Sequence, residues 1–114
     1  MKNIVLVLMI SLMGLSLQAQ EKKNKNAKYD IEVSGNCDMC KKRIEKAAFS
    51  VKGVKSAVWH ADHQTLHLTI DESKCTLNDV RQTIANAGHD TDKVRAPDEV
   101  YEKLHHCCLY ERKN

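Results

Sequence analysis

The change of hydrophobic periodicity along residues 28–95 is the feature that most constrains the fold of this chain. Residues 28–34 alternate between apolar and polar side chains, which is typical of a half-buried strand. The next apolar side chains, from Cys40 to Val51, recur at helical spacing instead, and Asp38 stands where a helix cap is expected. The sequence therefore predicts a strand that leads directly into an amphipathic helix.

The second half of this region repeats the pattern with an added hairpin. Residues 54–60 and 65–71 are rich in β-forming side chains and flank a polar turn, which predicts two antiparallel strands. Which face of the first of these strands is buried stays open, because two sets of its apolar side chains could face the core. An amphipathic helix follows, with Thr76 and Asp79 as its capping box, and a short strand is expected around residues 93–95.

The resulting order is strand, helix, strand, strand, helix, strand. This order predicts an α+β fold of the ferredoxin-like βαββαβ type, in which a four-stranded antiparallel sheet carries both helices on one face. Pro97 follows this unit, and residues 98–104 are expected to form a short helix in a C-terminal extension. A chain of 114 residues has room for one such small domain.

The amino-terminal segment predicts export. Residues 4–17 form an apolar run behind Lys2, within the ~7–15 residues of a signal-peptide core and short of the ~20 that a membrane-spanning helix needs. We expect cleavage after Ala19, so that the mature protein is periplasmic or secreted and does not span a membrane. The expected segments are a signal peptide (1–19), a disordered leader (20–27), a folded domain (28–96) and a C-terminal extension (97–114).

Composition and charge exclude several classes of function. The formal net charge is +3 and aromatic residues make up 4% of the chain, which gives little support for nucleic-acid binding. The predicted fold offers no obvious pocket for a nucleophile, a base and an orienting group, so we expect no enzyme activity. The five cysteines are odd in number and clustered, which fits a disulfide framework poorly and indicates a binding site.

The first cluster, Cys37 and Cys40, lies where the first strand turns into the first helix. At such a junction, unpaired backbone N–H groups and the positive end of the helix dipole favour thiolate over thiol. Thiolates are soft ligands, and two of them at an open site suit an ion of low coordination number, Cu(I) above all, with Hg(II) and Cd(II) as further candidates. A structural zinc site would need four ligands, and only two stand here locally.

Two other interpretations of this pair stay open. Cys37 and Cys40 could form a disulfide, which would then be the resting state in an oxidising compartment. They could also act in thiol–disulfide exchange, although neither Trp nor Pro adjoins the pair, unlike the thioredoxin-like motif, and the only proline is Pro97.

Three short motifs carry a family resemblance: GNCDMC at residues 35–40, VKGV at residues 51–54 and IANAG at residues 84–88. With the hairpin and the order of elements, they make residues 29–95 resemble the heavy-metal-associated domain, which is found in copper chaperones, copper-exporting ATPases and the periplasmic mercury-binding protein. The resemblance implies that residues 28–96 form a ferredoxin-like domain. It also implies that Cys37 and Cys40 bind a soft metal and pass it to partner domains by ligand exchange.

The sequence departs from the family pattern on both sides of the cysteine pair. The family often has Met and Thr before its first cysteine, whereas this chain has Gly35 and Asn36. The metal-binding loop therefore lacks the hydrophobic Met side chain that would support it. After the second helix the family commonly has an aromatic residue or Lys, whereas this chain has His89. His89 is a candidate third ligand, and the alternative is an exposed loop histidine.

A second cluster lies in the C-terminal extension, outside the region of the resemblance: His105, His106, Cys107 and Cys108. Four adjacent soft or borderline ligands form a candidate second metal site. The alternative is that one of these cysteines packs on the domain as part of a docking face and that the histidines are solvated.

The remaining cysteine and histidines are not predicted ligands. Cys75, just before the second helix, is expected to be a packed small residue. His60 and His63 flank the hairpin turn, His67 projects from the polar face of its strand, and each is expected to be solvated.

These features together predict an exported protein that binds Cu(I) or another soft ion and transfers or sequesters it. The expected partners are the metal ion and a metal-transporting membrane ATPase or another metal-binding domain. The alternatives are a thiol–disulfide exchange protein and an interaction module that docks on a metal transporter through residues 98–114.

Overall fold

The computed structural model describes residues 23–113, so the predicted signal peptide and the first residues of the predicted leader lie outside the described residues. Three antiparallel strands form a sheet in the order β1-β3-β2: β1 (Ala27–Glu32), β2 (Val54–His60) and β3 (Thr65–Ile70). β1 thus begins inside the range assigned to the leader. Just before it, Asn24 accepts a hydrogen bond of 2.9 Å from the backbone N–H of Glu72.

The helices are α1 (Asp38–Phe49), α2 (Leu77–Asn86) and α3 (Asp98–Glu102), and a short 3-10 helix (His106–Cys108) closes the extension. The capping box of α2 is confirmed, since Asp79 N donates to Thr76 Oγ1 at 3.1 Å and Thr76 N donates to Asp79 at 2.9 Å. The predicted cap of α1 is wrong. Asp38 is the first residue of that helix, and the residue before it, Cys37, makes no capping hydrogen bond through its side chain.

The buried face of the sheet packs against α1 and α2. In β2 the buried residues are Ala57 and Trp59, whereas Val58 is exposed. The register of β2 against β3 shifts between Val54 and Ser56, and this irregularity explains why the strand shows no clean alternation in the sequence. The core also contains aliphatic side chains from both helices and the other strands: Ile31, Ile44, Leu66, Leu68, Ile70, Val80 and Ile84.

The predicted fourth strand is not part of the sheet in the described residues. Residues 93–95 form no ladder, and a single bridge between Val33 and Thr91 takes its place. The reason is a tight turn, in which Thr91 N donates to Val94 O at 2.8 Å and Val94 N donates to Thr91 Oγ1 at 2.9 Å. The remaining ferredoxin-like arrangement is as predicted. Among the described helices, none is long and apolar enough to cross a membrane.

Gly53 is required at the turn between α1 and β2. Its φ is +109°, and a Cβ there would lie 2.8 Å from Lys74 Cβ and 3.0 Å from Cys75 Sγ. Gly53→Ala is therefore expected to lower the free energy of unfolding by roughly 1–3 kcal/mol, because both backbone strain and a steric contact oppose it. Urea denaturation measures this value. The control is Lys52→Ala at the exposed neighbouring position, which should change the free energy of unfolding by less than about 0.5 kcal/mol. Equal effects of the two substitutions would contradict the prediction.

Candidate metal centre

The cysteine pair lies at the amino-terminal end of α1. Cys37 has an extended backbone (φ −136°) and precedes the helix, and Cys40 lies in its first turn with a fully buried side chain. Their Sγ atoms are 3.6 Å apart, and neither sulfur is in a disulfide. The pair therefore converges on one point, with Cys40 anchored in the core and Cys37 partly accessible.

The ring of Trp59 supports this loop from below. Its Nε1 donates to Val33 O at 2.9 Å, just before the loop. A Cβ at Gly35 would lie 3.1 Å from this ring and 3.0 Å from Cys40 Cβ. Trp59 thus fills the space beneath the loop, and Gly35, which stands where the family often has Met, allows the indole to approach that closely.

The C-terminal extension brings two more sulfurs to this pair. Cys37 Sγ lies 3.4 Å from Cys107 Sγ and 3.5 Å from Cys108 Sγ, and the two tail sulfurs are 3.8 Å apart. The sulfurs of Cys37, Cys40 and Cys108 all lie within 4.8 Å of one another. The two cysteine clusters of the sequence, expected as separate sites, therefore form one group of four thiols.

A fifth sulfur, which the sequence analysis missed, lies beside this group. The thioether of Met39 is 3.5 Å from Cys107 Sγ, and 44% of the Met39 residue is exposed. A thioether is a soft ligand like a thiolate. The position of Met39 inside the Cys37–Cys40 motif could have indicated this role. Its approach to Cys107, however, depends on the fold of the extension.

Cys37, Cys40 and Cys107 differ in how readily their thiols ionise. The backbone N–H of Cys40 donates to Cys37 and lowers its pKa to about 7, with further help from the surrounding thiols. Burial raises the pKa of Cys40 to about 12, and the contact with Cys37 raises the pKa of Cys107 to about 11. Of these three thiols, Cys37 is therefore the one that ionises near neutral pH in the metal-free protein.

His89 is buried next to the group but is not among the residues that converge there. Its Nδ1 donates to Ser34 O at 2.8 Å, so the neutral ring has its lone pair on Nε2, which has no hydrogen-bond partner among the described residues. Burial lowers the pKa of His89 and favours this neutral form. The ring stacks on Tyr110 with centroids 5.5 Å apart, so His89 is a packed residue rather than an exposed loop histidine.

The other candidates lie away from the four sulfurs. His105 and His106 are exposed, with ring centroids 4.4 Å apart, and are not among the residues that converge with the thiols in the described chain. Cys75 is buried as expected, with its sulfur 3.8 Å from Asp71 O. Burial raises the pKa of Cys75, which makes this thiol an unreactive internal reference.

The family model of the heavy-metal-associated domain matches residues 31–90. The chain belongs to this family. The match spans α1, α2, the hairpin and the first cysteine pair. It ends before the extension that carries Cys107 and Cys108.

Solved structures support the same assignment. The chain is 26% identical to the CopZ metallochaperone, with a TM-score of 0.55 over 57% of this chain and 98% of that one. It is 28% identical to the putative copper-ion-binding protein from Bacillus anthracis str. Ames, with a TM-score of 0.56 over 59% and 96%. Oxidised MerP from Ralstonia metallidurans CH34, at 22% identity, 58% and 96% coverage and a TM-score of 0.51, supports the fold alone. No curated protein matches the chain.

Alkylation of the reduced, metal-free protein should follow the uneven charge of the group. We expect iodoacetamide to label Cys37 first, with a midpoint near pH 7, because its thiolate is present above its pKa of about 7. Cys40 and Cys75 should stay unlabelled until the protein is denatured, and peptide mass spectrometry identifies the labelled sites. Labelling of Cys75 before Cys37, or a Cys37 midpoint near pH 9, would contradict the prediction.

Proposed function

We propose that this protein binds a soft metal ion, Cu(I) above all, through Cys37 and Cys40, and transfers or sequesters it. The observation that carries the proposal is the convergence of the two sulfurs, 3.6 Å apart, at the start of α1. The lowered pKa of Cys37 adds a thiolate at neutral pH, and thiolates select soft ions such as Cu(I). Membership of the heavy-metal-associated family supports it, as does the likeness to a metallochaperone and to a putative copper-ion-binding protein.

The two cysteines would have different roles in binding. Cys37 is partly accessible and ionised, so it would make the first bond to an arriving ion. Cys40 is buried, and its thiol would release its proton when the ion binds to the sulfur. A partner thiolate would then reach the ion from the Cys37 side, which is the side needed for ligand exchange with another metal-binding domain or a metal-transporting ATPase.

The proposal includes export. It rests on the apolar segment of residues 4–17, which predicts a signal peptide and a periplasmic or secreted protein. In this function the protein is a metal carrier or store and not an enzyme.

Thiol–disulfide exchange is the second candidate, because a lowered pKa and a neighbouring thiol are also what a redox dithiol needs. Catalytic reduction of an added disulfide substrate by the metal-free protein, with an added dithiol that reduces the protein after each turnover, would favour it. The docking-module candidate has less support, since the extension packs against its own domain through buried Cys108 and Tyr110.

An anaerobic Cu(I) titration tests the proposed function. The reduced wild-type protein should compete with a Cu(I) chelator, and Cys37→Ser/Cys40→Ser should lose at least about 100-fold in affinity, since both proposed ligands become weak oxygen donors. Cys75→Ser is the matched control, because it removes a buried thiol away from the group, and it should bind as the wild type does. Equal Cu(I) affinity of the double variant and the wild type would refute the proposal.

A further inference from the structure

We propose that Cys107 and Cys108 join Cys37 and Cys40 in one closed four-sulfur site for a tetrahedral, thiol-seeking divalent ion such as Zn(II) or Cd(II). This rests on the proposed function, because the same Cys37 and Cys40 supply half of the ligands. It goes beyond that function in two respects. It gives the extension a direct role in binding, and it names a class of ion that an open pair of thiols would hold weakly.

Four of the six sulfur–sulfur distances within the group are close to those of four-fold coordination. Four sulfurs about 2.3 Å from a central ion lie at the corners of a tetrahedron with edges of about 3.8 Å. The separations from Cys37 to the other three sulfurs are 3.4, 3.5 and 3.6 Å, and the two tail sulfurs are 3.8 Å apart. Two sulfurs in linear coordination would instead lie about 4.6 Å apart at the same bond length. Cys37, Cys40 and Cys108 already lie within 4.8 Å of one another, and Cys107, which is partly exposed, needs to approach Cys40 for the tetrahedron to close.

Contacts that involve no sulfur hold the extension in this position. The Tyr110 hydroxyl donates to Gly88 O at 2.8 Å and accepts from Asp90 N at 2.8 Å. Arg112 donates to both carboxylate oxygens of Asp90, at 2.9 and 2.7 Å, and to Ala96 O at 2.6 Å. We call Asp90, Tyr110 and Arg112 the tail anchor. Because these contacts are buried or partly buried, they place the tail cysteines before any ion arrives.

The closed site restricts the exchange of ligands on the bound ion. Cys40 and Cys108 are fully buried, while Cys37 and Cys107 are partly buried, so an ion among the four would have little room for an incoming ligand. An ion that takes all four sulfurs is therefore retained until the extension moves. The structure thus assigns tetrahedral divalent ions to sequestration, with the extension as the part that must lift for release.

X-ray absorption of the protein loaded with one equivalent of Zn(II) tests this directly. The wild type should show four sulfur neighbours, and Cys107→Ser/Cys108→Ser should show two, with the others replaced by oxygen or nitrogen. The double variant should also lose at least about 100-fold in Zn(II) affinity, since losing even an outer-shell partner of a ligand costs 10–100-fold. Cys75→Ser should keep four sulfurs and the wild-type affinity.

One further variant keeps the test decisive. Cys108 is buried, so its replacement could disturb the extension; Cys107→Ser alone changes a partly exposed residue and should leave three sulfur neighbours. A wild-type shell of two sulfurs, or unchanged Zn(II) affinity in both tail variants, overturns this proposal and leaves Cu(I) binding intact. Cu(I) binding that survives Cys37→Ser/Cys40→Ser instead overturns the proposed function.

The turn of the hairpin between β2 and β3 carries a histidine cluster that is separate from the sulfur group. The imidazoles of His60, His63 and His67 form a compact cluster, with ring centroids 5.0, 5.1 and 5.9 Å apart. Ligand atoms of His60, Asp62 and His63 lie within 4.8 Å of one another. Imidazole suits borderline divalent ions such as Zn(II), Cu(II) and Ni(II) rather than the ions that select thiolates.

The carboxylates around this cluster orient the rings as in metal sites. Asp30 lies 2.6 Å from His67 Nδ1, and Asp62 lies 3.1 Å from His63 Nδ1. Asp30 accepts a hydrogen bond from His67 Nδ1, which leaves Nε2 of His67 for an ion, as in ligating histidines. Asp62 lies at ion-pair distance from His63 and is itself a candidate ligand beside His60 and His63. We infer that the histidines of the hairpin form a weak, exposed site for a borderline divalent ion.

This site is tested by Zn(II) added to the Cys107→Ser/Cys108→Ser protein after Cys37 and Cys40 have taken up one equivalent of Cu(I). Saturable binding with shifts of the His60 and His63 imidazole NMR signals is expected, and His60→Gln/His63→Gln should abolish it. His105→Gln/His106→Gln is the matched control, as it removes two exposed histidines elsewhere and should keep the binding. Absence of saturable binding, or its loss only in the His105/His106 variant, overturns the inference.

Discussion

The candidate site depends on how firmly the start of α1 is fastened to β2 at Trp59. Lys41 Nζ donates to Trp59 O at 2.9 Å, and Trp59 N donates to Glu45 Oε2 at 2.9 Å, so two helix side chains bond the strand backbone. The indole then fills the space under Gly35, and Cys40 packs beside it. Because Cys40 cannot move without disturbing the core, it fixes the buried side of the group, and the other sulfurs meet at Cys37.

The extension is joined to the family domain at the point where the family match ends. Residue 90, the last one matched, is the aspartate that binds Arg112. The neighbouring turn around Thr91 replaces the expected fourth strand, and this frees the chain to cross back over the start of α1. The turn and the tail anchor thus meet at Asp90, where the family domain passes into the extension.

Much of the fold was predictable because local patterns decided it. The alternation in β1, the capping box at Thr76 and Asp79 and the spacing of Cys37 and Cys40 all act within a few residues. The features that were missed depend on contacts distant in sequence. Cys37 and Cys107 are 70 residues apart, and the burial of His89 depends on stacking with Tyr110. In β2, an irregularity of pairing rather than side-chain pattern decided which face is buried.

The coordination preference of the ion decides which part of the molecule takes part in binding. An ion that is satisfied by two sulfurs needs only Cys37 and Cys40, and the tail sulfurs then remain as neighbouring thiols. An ion that needs four sulfur ligands also binds Cys107 and Cys108. Its bonds to these two residues would add to the contacts of the tail anchor that attach the extension to the domain. The tail sulfurs adjoin Cys37 in either case, so the two classes of ion would differ in the number of sulfurs that hold them. The difference arises from the ion's chemistry and requires no second fold.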